Sequence, residues 1–288
     1  MTTSPIAPKT VEFSGLDGLR LRGDRWDVPN RKGTIVLQHG GGQTRHSWHA
    51  AGERFAAEGW STISLDARGH GESEWAPDGR YSPTELVGDI LAVIGELEDP
   101  PVLVGASMGG SASLVAVGEN PGIARGLVLV DLVPKIEPAG ARRIREFMLG
   151  APDGFASLDE VAAAIQAYNP HRTRPPSKNG LLKNVRQRED GRWHWHWDPA
   201  FISPESGADE PTRNMGHGRL IEAARNVDVP MLLVRGKQSD VVSADGVREL
   251  LAACPRARFV DVTDAGHMVA GDDNDVFSDA VLEFLAEI

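Results

Sequence analysis

Pro101-Val102-Leu103-Val104-Gly105-Ala106-Ser107-Met108-Gly109 runs from a short apolar segment straight into a serine set between glycines. The apolar residues read as a buried strand, and residues 107–117 carry helical periodicity. A serine on that junction is the pattern of a nucleophile elbow, in which a sharp turn pushes the hydroxyl out of the sheet toward a substrate. The turn demands strained backbone angles, and the flanking glycines allow an approach that a Cβ would block. The competing reading is a helix N-cap, a common use of serine at such a place. Partners for the serine decide between them.

Outward from the elbow the same alternation recurs. Strand-like runs over 34–38, 61–66, 102–105 and 126–131 are interleaved with helical patterns over 48–58, 83–97 and 107–117. Such order implies right-handed crossovers and a mostly parallel sheet covered by helices on both faces. Before it, segments 10–14 and 19–26 alternate apolar and polar residues around Asp17-Gly18, the signature of an antiparallel hairpin. After Leu132 the alternation stops. Helix-like stretches over 142–149, 158–168 and 181–188 surround a proline-rich 169–176, which reads as an inserted cap. Strand and helix order returns over 231–235, 244–254 and 257–262, and a final amphipathic helix covers 275–287. The expected division is a core of residues 1–132 and 217–288, interrupted by a cap over 133–216.

Open parallel sheets place their sites beyond the carboxyl ends of the strands. Three polar groups follow strands there: His39-Gly40-Gly41-Gly42-Gln43, Gly236-Lys237-Gln238-Ser239-Asp240 and Asp264-Ala265-Gly266-His267-Met268. A serine hydroxyl needs an imidazole to take its proton, and His267 is the candidate base. The imidazole needs a carboxylate to orient it, and Asp240 is the candidate, with Asp131, which also closes a strand, as the alternative. Asp264 reads as a turn residue. Backbone donors for an oxyanion are expected from Met108 and Gly41, with Gly42 as second choice. His39 is expected to fix that loop or stand at the pocket, and Trp48, at the start of the next helix, is a further pocket candidate.

With these pieces assembled, the chain resembles the α/β-hydrolase superfamily. The resemblance rests on His39-Gly40-Gly41-Gly42, on Asp66-Ala67-Arg68-Gly69-His70-Gly71-Glu72-Ser73, on the Ser107 elbow, on Ser239-Asp240 and on Gly266-His267. It implies an α/β-hydrolase fold with an eight-stranded, mostly parallel sheet, a helical cap after the sixth strand, and a triad of Ser107, Asp240 and His267. The implied activity is cleavage of a small carboxylic ester or lactone by water, with neither metal nor organic cofactor. Perhydrolysis or haloperoxidation without cofactor, and carbon-carbon bond hydrolysis, would use the same triad. A non-catalytic small-molecule receptor is the alternative of another class. Fold alone does not choose among chemistries.

Composition sets the remaining bounds. A formal net charge of -11 over 288 residues argues against nucleic acid and against an anionic membrane surface as partner. One cysteine, Cys254, excludes an intrachain disulfide and fits a reducing compartment. The first ten residues are polar and contain two prolines, with no signal-peptide core, so a cytoplasmic protein is expected. One run stands apart: Trp193-His194-Trp195-His196-Trp197. Extended backbone would put its indoles on one face and its imidazoles on the other. The three indoles are expected to pack on cap helices or roof an apolar pocket, with Trp193 and Trp195 as the pocket candidates. Two histidines without clustered carboxylates or thiolates make a poor metal site.

Overall fold

The computed structural model describes residues 6–169, 178–202, 216–263, 265–267 and 274–288. Strands β1 (Lys9–Ser14) and β2 (Arg20–Trp26) form the expected antiparallel pair, with Asp17 and Gly18 of the turn at positive φ. The main sheet continues with β3 (Thr34–Gln38), β4 (Ser61–Leu65), β5 (Val102–Ala106) and β6 (Gly126–Val130). Each of these four is buried along its whole length, as two-sided helix cover requires. Helices α1 (His49–Ala57), α2 (Pro83–Gly95) and α3 (Ser107–Glu119) connect them.

After β6 the chain leaves the sheet. It forms α4 (Pro138–Leu149), α5 (Leu158–Tyr168), α6 (Lys178–Leu182) and a two-stranded ribbon of β7 (Val185–Gln187) and β8 (Trp193–Trp195). Helix α7 (His217–Asn226) leads back to β9 (Met231–Gly236), α8 (Ala244–Ala253), β10 (Arg258–Val262) and α9 (Ser278–Leu285). The eight-stranded sheet has the order β1-β2-β4-β3-β5-β6-β9-β10, antiparallel only where β2 meets β1 and β4. The doubly wound order brings the carboxyl ends of β3, β5, β6, β9 and β10 to one edge. Every candidate site residue named above except the three tryptophans follows one of those ends.

Two departures from the sequence reading stand out. Residues 181–188 were expected to be helical, yet the helix stops at Leu182 and β7 begins at Val185. Asn184 N–H bonds back to Leu181 O, and pairing with the tryptophan strand then overrides local propensity. Helix α7 was not anticipated as an element. It packs on α3, where a Cβ on Gly118 would stand 2.6 Å from Ala223 Cα. The expected loop over 170–176 and the turn residue Asp264 lie outside the described residues.

The apolar residues form three clusters. One joins α2, α3, α7 and α8 to one sheet face, through Leu103, Leu114, Leu129, Leu220 and Leu250. A second joins α1 and α9 to the other face, through Leu37, Phe55, Val104 and Phe284. The third is built by the excursion itself, from Met148, Phe155, Val161, Ile165, Leu181, Val185, Trp195 and Trp197. Cys254 is buried in the first cluster and free. Among the described residues no helix is long and apolar enough to cross a membrane.

Candidate active site

Ser107 has φ 45°, a left-handed backbone that L-residues seldom adopt outside such a turn. Close packing enforces it. A Cβ on Gly105 would stand 2.5 Å from Gly109 O, and one on Gly109 would stand 2.6 Å from Gln38 Cβ. The glycines are therefore required by β3 and by the first turn of α3 rather than by chain flexibility. Ser107 is not an N-cap: the capping position falls on Ala106, and no side-chain cap bond is made.

His267 Nδ1 lies 2.7 Å from Asp131 Oδ2, with both side chains buried. This corrects the expectation for Asp240. The Asp240 side chain instead pairs with Arg143 of α4 at 3.0 Å and is 39% exposed, while Asp131 is 4% exposed. The physical reason lies in the backbone. Asp131, at φ 49°, turns off the end of β6 and is tied by its N–H to Val234 O of β9. Its carboxylate is thereby held in the cleft between two strand ends, where Gly236 N–H donates to Oδ1 at 3.1 Å. Asp240 lies farther along the loop after β9 and faces the excursion helix. β6, which supplies Asp131, lies beside the strand that leads into Ser107, at the usual inter-strand spacing of about 5 Å.

The loop after β3 supplies backbone donors beside the serine. A Cβ on Gly40 would stand 3.4 Å from Ser107 Cβ. Gly40 N–H is bound to Gln43 Oε1, and Gly42 N–H donates to His70 Nε2 at 3.3 Å, which removes the second-choice donor. The N–H groups of Gly41 and Met108 meet no acceptor among the described residues. Two amides free of acceptors among the described residues, in the loop beside a serine, are what holding an oxyanion would require.

His39 is not a pocket wall. It is 1% exposed, its Nε2 accepts from Ala67 N–H at 3.0 Å, and its Nδ1–H must therefore donate to Gly40 O at 2.7 Å. His70 and His196 are tied in the same manner. His70 Nδ1 donates to Arg68 O at 3.1 Å, and His196 accepts from Gly71 N–H at 2.7 Å while its Nε2 donates to Gly42 O at 3.3 Å. Burial, the largest cause for each, lowers His39 to about 4 and His70 to about 3, and drives His196 well below the usual imidazole range. All three are therefore neutral braces for the glycine loop.

The segment Asp66–Ser73 frames the loop from behind. Asp66, fully buried, holds the Arg45 guanidinium at 2.5 Å, and Arg68 clasps Asp89 at 2.6 and 2.7 Å. Trp48 does not line the site: it is 0% exposed, within the sheet-face cluster of Ile35, Leu37, Phe55 and Phe277. Trp195 packs among Phe147, Phe155 and Trp197, stacked on the last at 4.9 Å, and Trp193 is bridged to Phe155. Two bulky side chains stand against the donor loop: Met148, which sequence reasoning missed, and Trp197, which it placed only within the tryptophan ribbon. Trp197 Cζ3 and Met148 Cε stand 3.4 and 3.6 Å from where a Gly42 Cβ would be, and Met148 Sδ is 3.7 Å from the equivalent point at Gly41. The period-two ribbon carried a signal for Trp197. Met148 carried none beyond its place in the last turn of a helix.

Among the described residues, no three His, Cys, Asp or Glu side chains gather as a metal site would require. Comparison with known proteins gives the same architecture. A family model described as the alpha/beta hydrolase fold matches residues 33–273. The 3-hydroxybutyrate-oligomer hydrolase of Cupriavidus necator is 27% identical over 257 residues, covering 86% of this chain and 87% of that protein. An esterase of Mycobacterium tuberculosis is 28% identical over 247 residues, covering 83% and 78%. A solved structure of an alpha/beta hydrolase from Novosphingobium aromaticivorans superposes with a TM-score of 0.80 at 22% identity, covering 99% of this chain and all of that one, a likeness of fold.

Proposed function

The chain belongs to the alpha/beta hydrolase fold family and is an enzyme of the ester-hydrolase kind, and we propose that it cleaves a small carboxylic ester or lactone through an acyl-enzyme on Ser107. The observation that carries this reading is the buried 2.7 Å contact of His267 with Asp131 at the sheet edge that presents the Ser107 elbow. His267 takes the hydroxyl proton as Ser107 Oγ attacks the carbonyl carbon, and Asp131 holds the imidazole by Nδ1 and balances its charge. The Gly41 and Met108 amides receive the oxyanion, each worth about 3 kcal/mol to the transition state. His267 then gives the proton to the leaving alkoxide, takes one from the water that attacks the acyl carbon, and returns it to Ser107 Oγ as the acyl-oxygen bond breaks and the acid departs.

The segment 133–216 is proposed as a cap, and Met148 and Trp197 as the wall facing the acyl group. Two bulky side chains over the donor loop favour a short acyl chain. The names of the relatives, an oligomer hydrolase of 3-hydroxybutyrate and an esterase, are consistent with a short ester.

A p-nitrophenyl ester series with lactones alongside, combined with phosphonate labelling, tests the reading. Ser107→Ala is expected to abolish labelling and lower kcat by at least about a thousandfold. Equal activity of Ser107→Ala and wild type would overturn the serine mechanism.

A further inference from the structure

Asp131 carries its charge almost wholly out of water, with 4% of the residue exposed. A buried carboxylate needs its lone pairs met by donors. Oδ1 receives Gly236 N–H, and Oδ2 receives His267 Nδ1–H together with a second donor, the Ser239 hydroxyl, at 2.7 Å. The direction of that hydroxyl is fixed by its other bonds. Ser239 Oγ accepts from Val241 N–H at 3.3 Å and from Val242 N–H at 3.1 Å. Both acceptor positions of the oxygen are thus taken, and its one proton can point only at Asp131.

From this geometry we propose that Ser239 is a positioning residue for the Asp131–His267 pair, a proposal that rests on the serine-hydrolase reading above. Its hydroxyl bonds the very oxygen that holds the imidazole. It stops the carboxylate from rotating and shares the charge that would otherwise fall on a single hydrogen bond. The loop is built for this placement: Ser239 N–H donates to Gly236 O at 2.9 Å, closing a turn whose first residue binds the other carboxylate oxygen. One short turn after β9 therefore grips both oxygens of an acid supplied by β6. The reaction gains an Asp whose carboxylate is held against His267 before substrate arrives.

Three variants of the whole enzyme test this: Ser239→Ala removes the donor, Ser239→Cys leaves a weak one, and Ser239→Thr keeps a full hydroxyl. The expected outcome is a kcat about tenfold lower for Ser239→Ala and several-fold lower for Ser239→Cys, with KM within about twofold of wild type, and recovery in Ser239→Thr. The downfield proton resonance of His267 Nδ1–H is expected to move in Ser239→Ala and Ser239→Cys and to return in Ser239→Thr. A merely structural hydroxyl would change melting temperature without moving that resonance or splitting kcat from KM. Wild-type kcat and an unmoved resonance in Ser239→Cys, or in a folded Ser239→Ala, would overturn the role of Ser239 while Ser107→Ala and Asp131→Asn remain inactive. Activity surviving in Ser107→Ala would instead overturn the reading beneath it.

Discussion

At the residue scale, the proposed nucleophile Ser107 and the proposed base His267 are each marked in the linear chain by their neighbours. The strained φ at Ser107 needs Gly105 and Gly109 around it, and these are printed in the sequence. The acid is less legible: Asp131 and Asp240 both follow strands, and nothing local says which one faces His267. What decides is the path of the backbone after each strand, and that depends on the N–H of Asp131 finding Val234 O on a strand a hundred residues later. The two carboxylates have different predicted consequences. Asp131→Asn leaves His267 with an amide that cannot balance an imidazolium, so kcat is expected to fall about a thousandfold or more. Asp240→Asn breaks a pair that is 47% exposed on Arg143 and 39% on Asp240, worth at most about 1 kcal/mol, and kcat is expected to stay within about threefold of wild type. Steady-state kinetics on the two variants checks this directly. The opposite ranking would return the acid to Asp240.

At the scale of elements, the ribbon β7-β8 shows why the tryptophan run was only half readable. Alternation told which residues share a face, and Trp195 and Trp197 do stack. Alternation said nothing of what the other face meets. His196 reaches across to the loops after β3 and β4, while Asp198 N–H bonds Gly69 O at 2.8 Å and the Tyr81 hydroxyl donates to Asp198 Oδ2. The excursion is therefore stitched to the glycine loop through imidazoles that must stay neutral. In the unfolded chain these groups titrate near pH 6.5, whereas in the fold His39 waits until about 4 and His70 until about 3. Below about pH 6.5 the unfolded state binds more protons than the native one. Their contribution is thus complete above about pH 6.5 and is lost progressively as pH falls toward 4. Melting temperatures between pH 7.5 and 4.5 are expected to decline for wild type. In His196→Gln the curve is expected to start lower, by about 2 kcal/mol of stability for two backbone groups left poorly paired, and to decline less steeply. Parallel curves would mean that His196 stays neutral in neither state or in both, and would remove the brace.

Across the whole molecule, the alternation of strands and helices, and with it a mostly parallel sheet, was readable because strand and helix periods differ, whereas the lateral order of the strands was not. Nor were helix α7 and the end of α6, since the first depends on Gly118 admitting Ala223 and the second on a distant pairing strand. The same contrast divides the stability of the chain. Clusters on the two faces of the main sheet are continuous through strands that are wholly buried, so opening any one strand exposes apolar surface on both sides. The excursion has its own small cluster, set on short helices and a three-residue ribbon. With only eight buried apolar side chains in its own cluster among the described residues, it has less burial to set against the conformational entropy of ordering its helices and ribbon. It is expected to open as a separate cooperative unit at a free energy below that of global unfolding. Native-state hydrogen exchange measures this residue by residue. Amides of Val161 and Ile165 in α5 are expected to exchange about a hundredfold faster than those of Val104 in β5 and Leu129 in β6, with a weaker dependence on denaturant. Equal protection and equal denaturant dependence at all four would show that the excursion and the sheet unfold together, and that the bonds from His196 and Asp198 weld the two clusters into one.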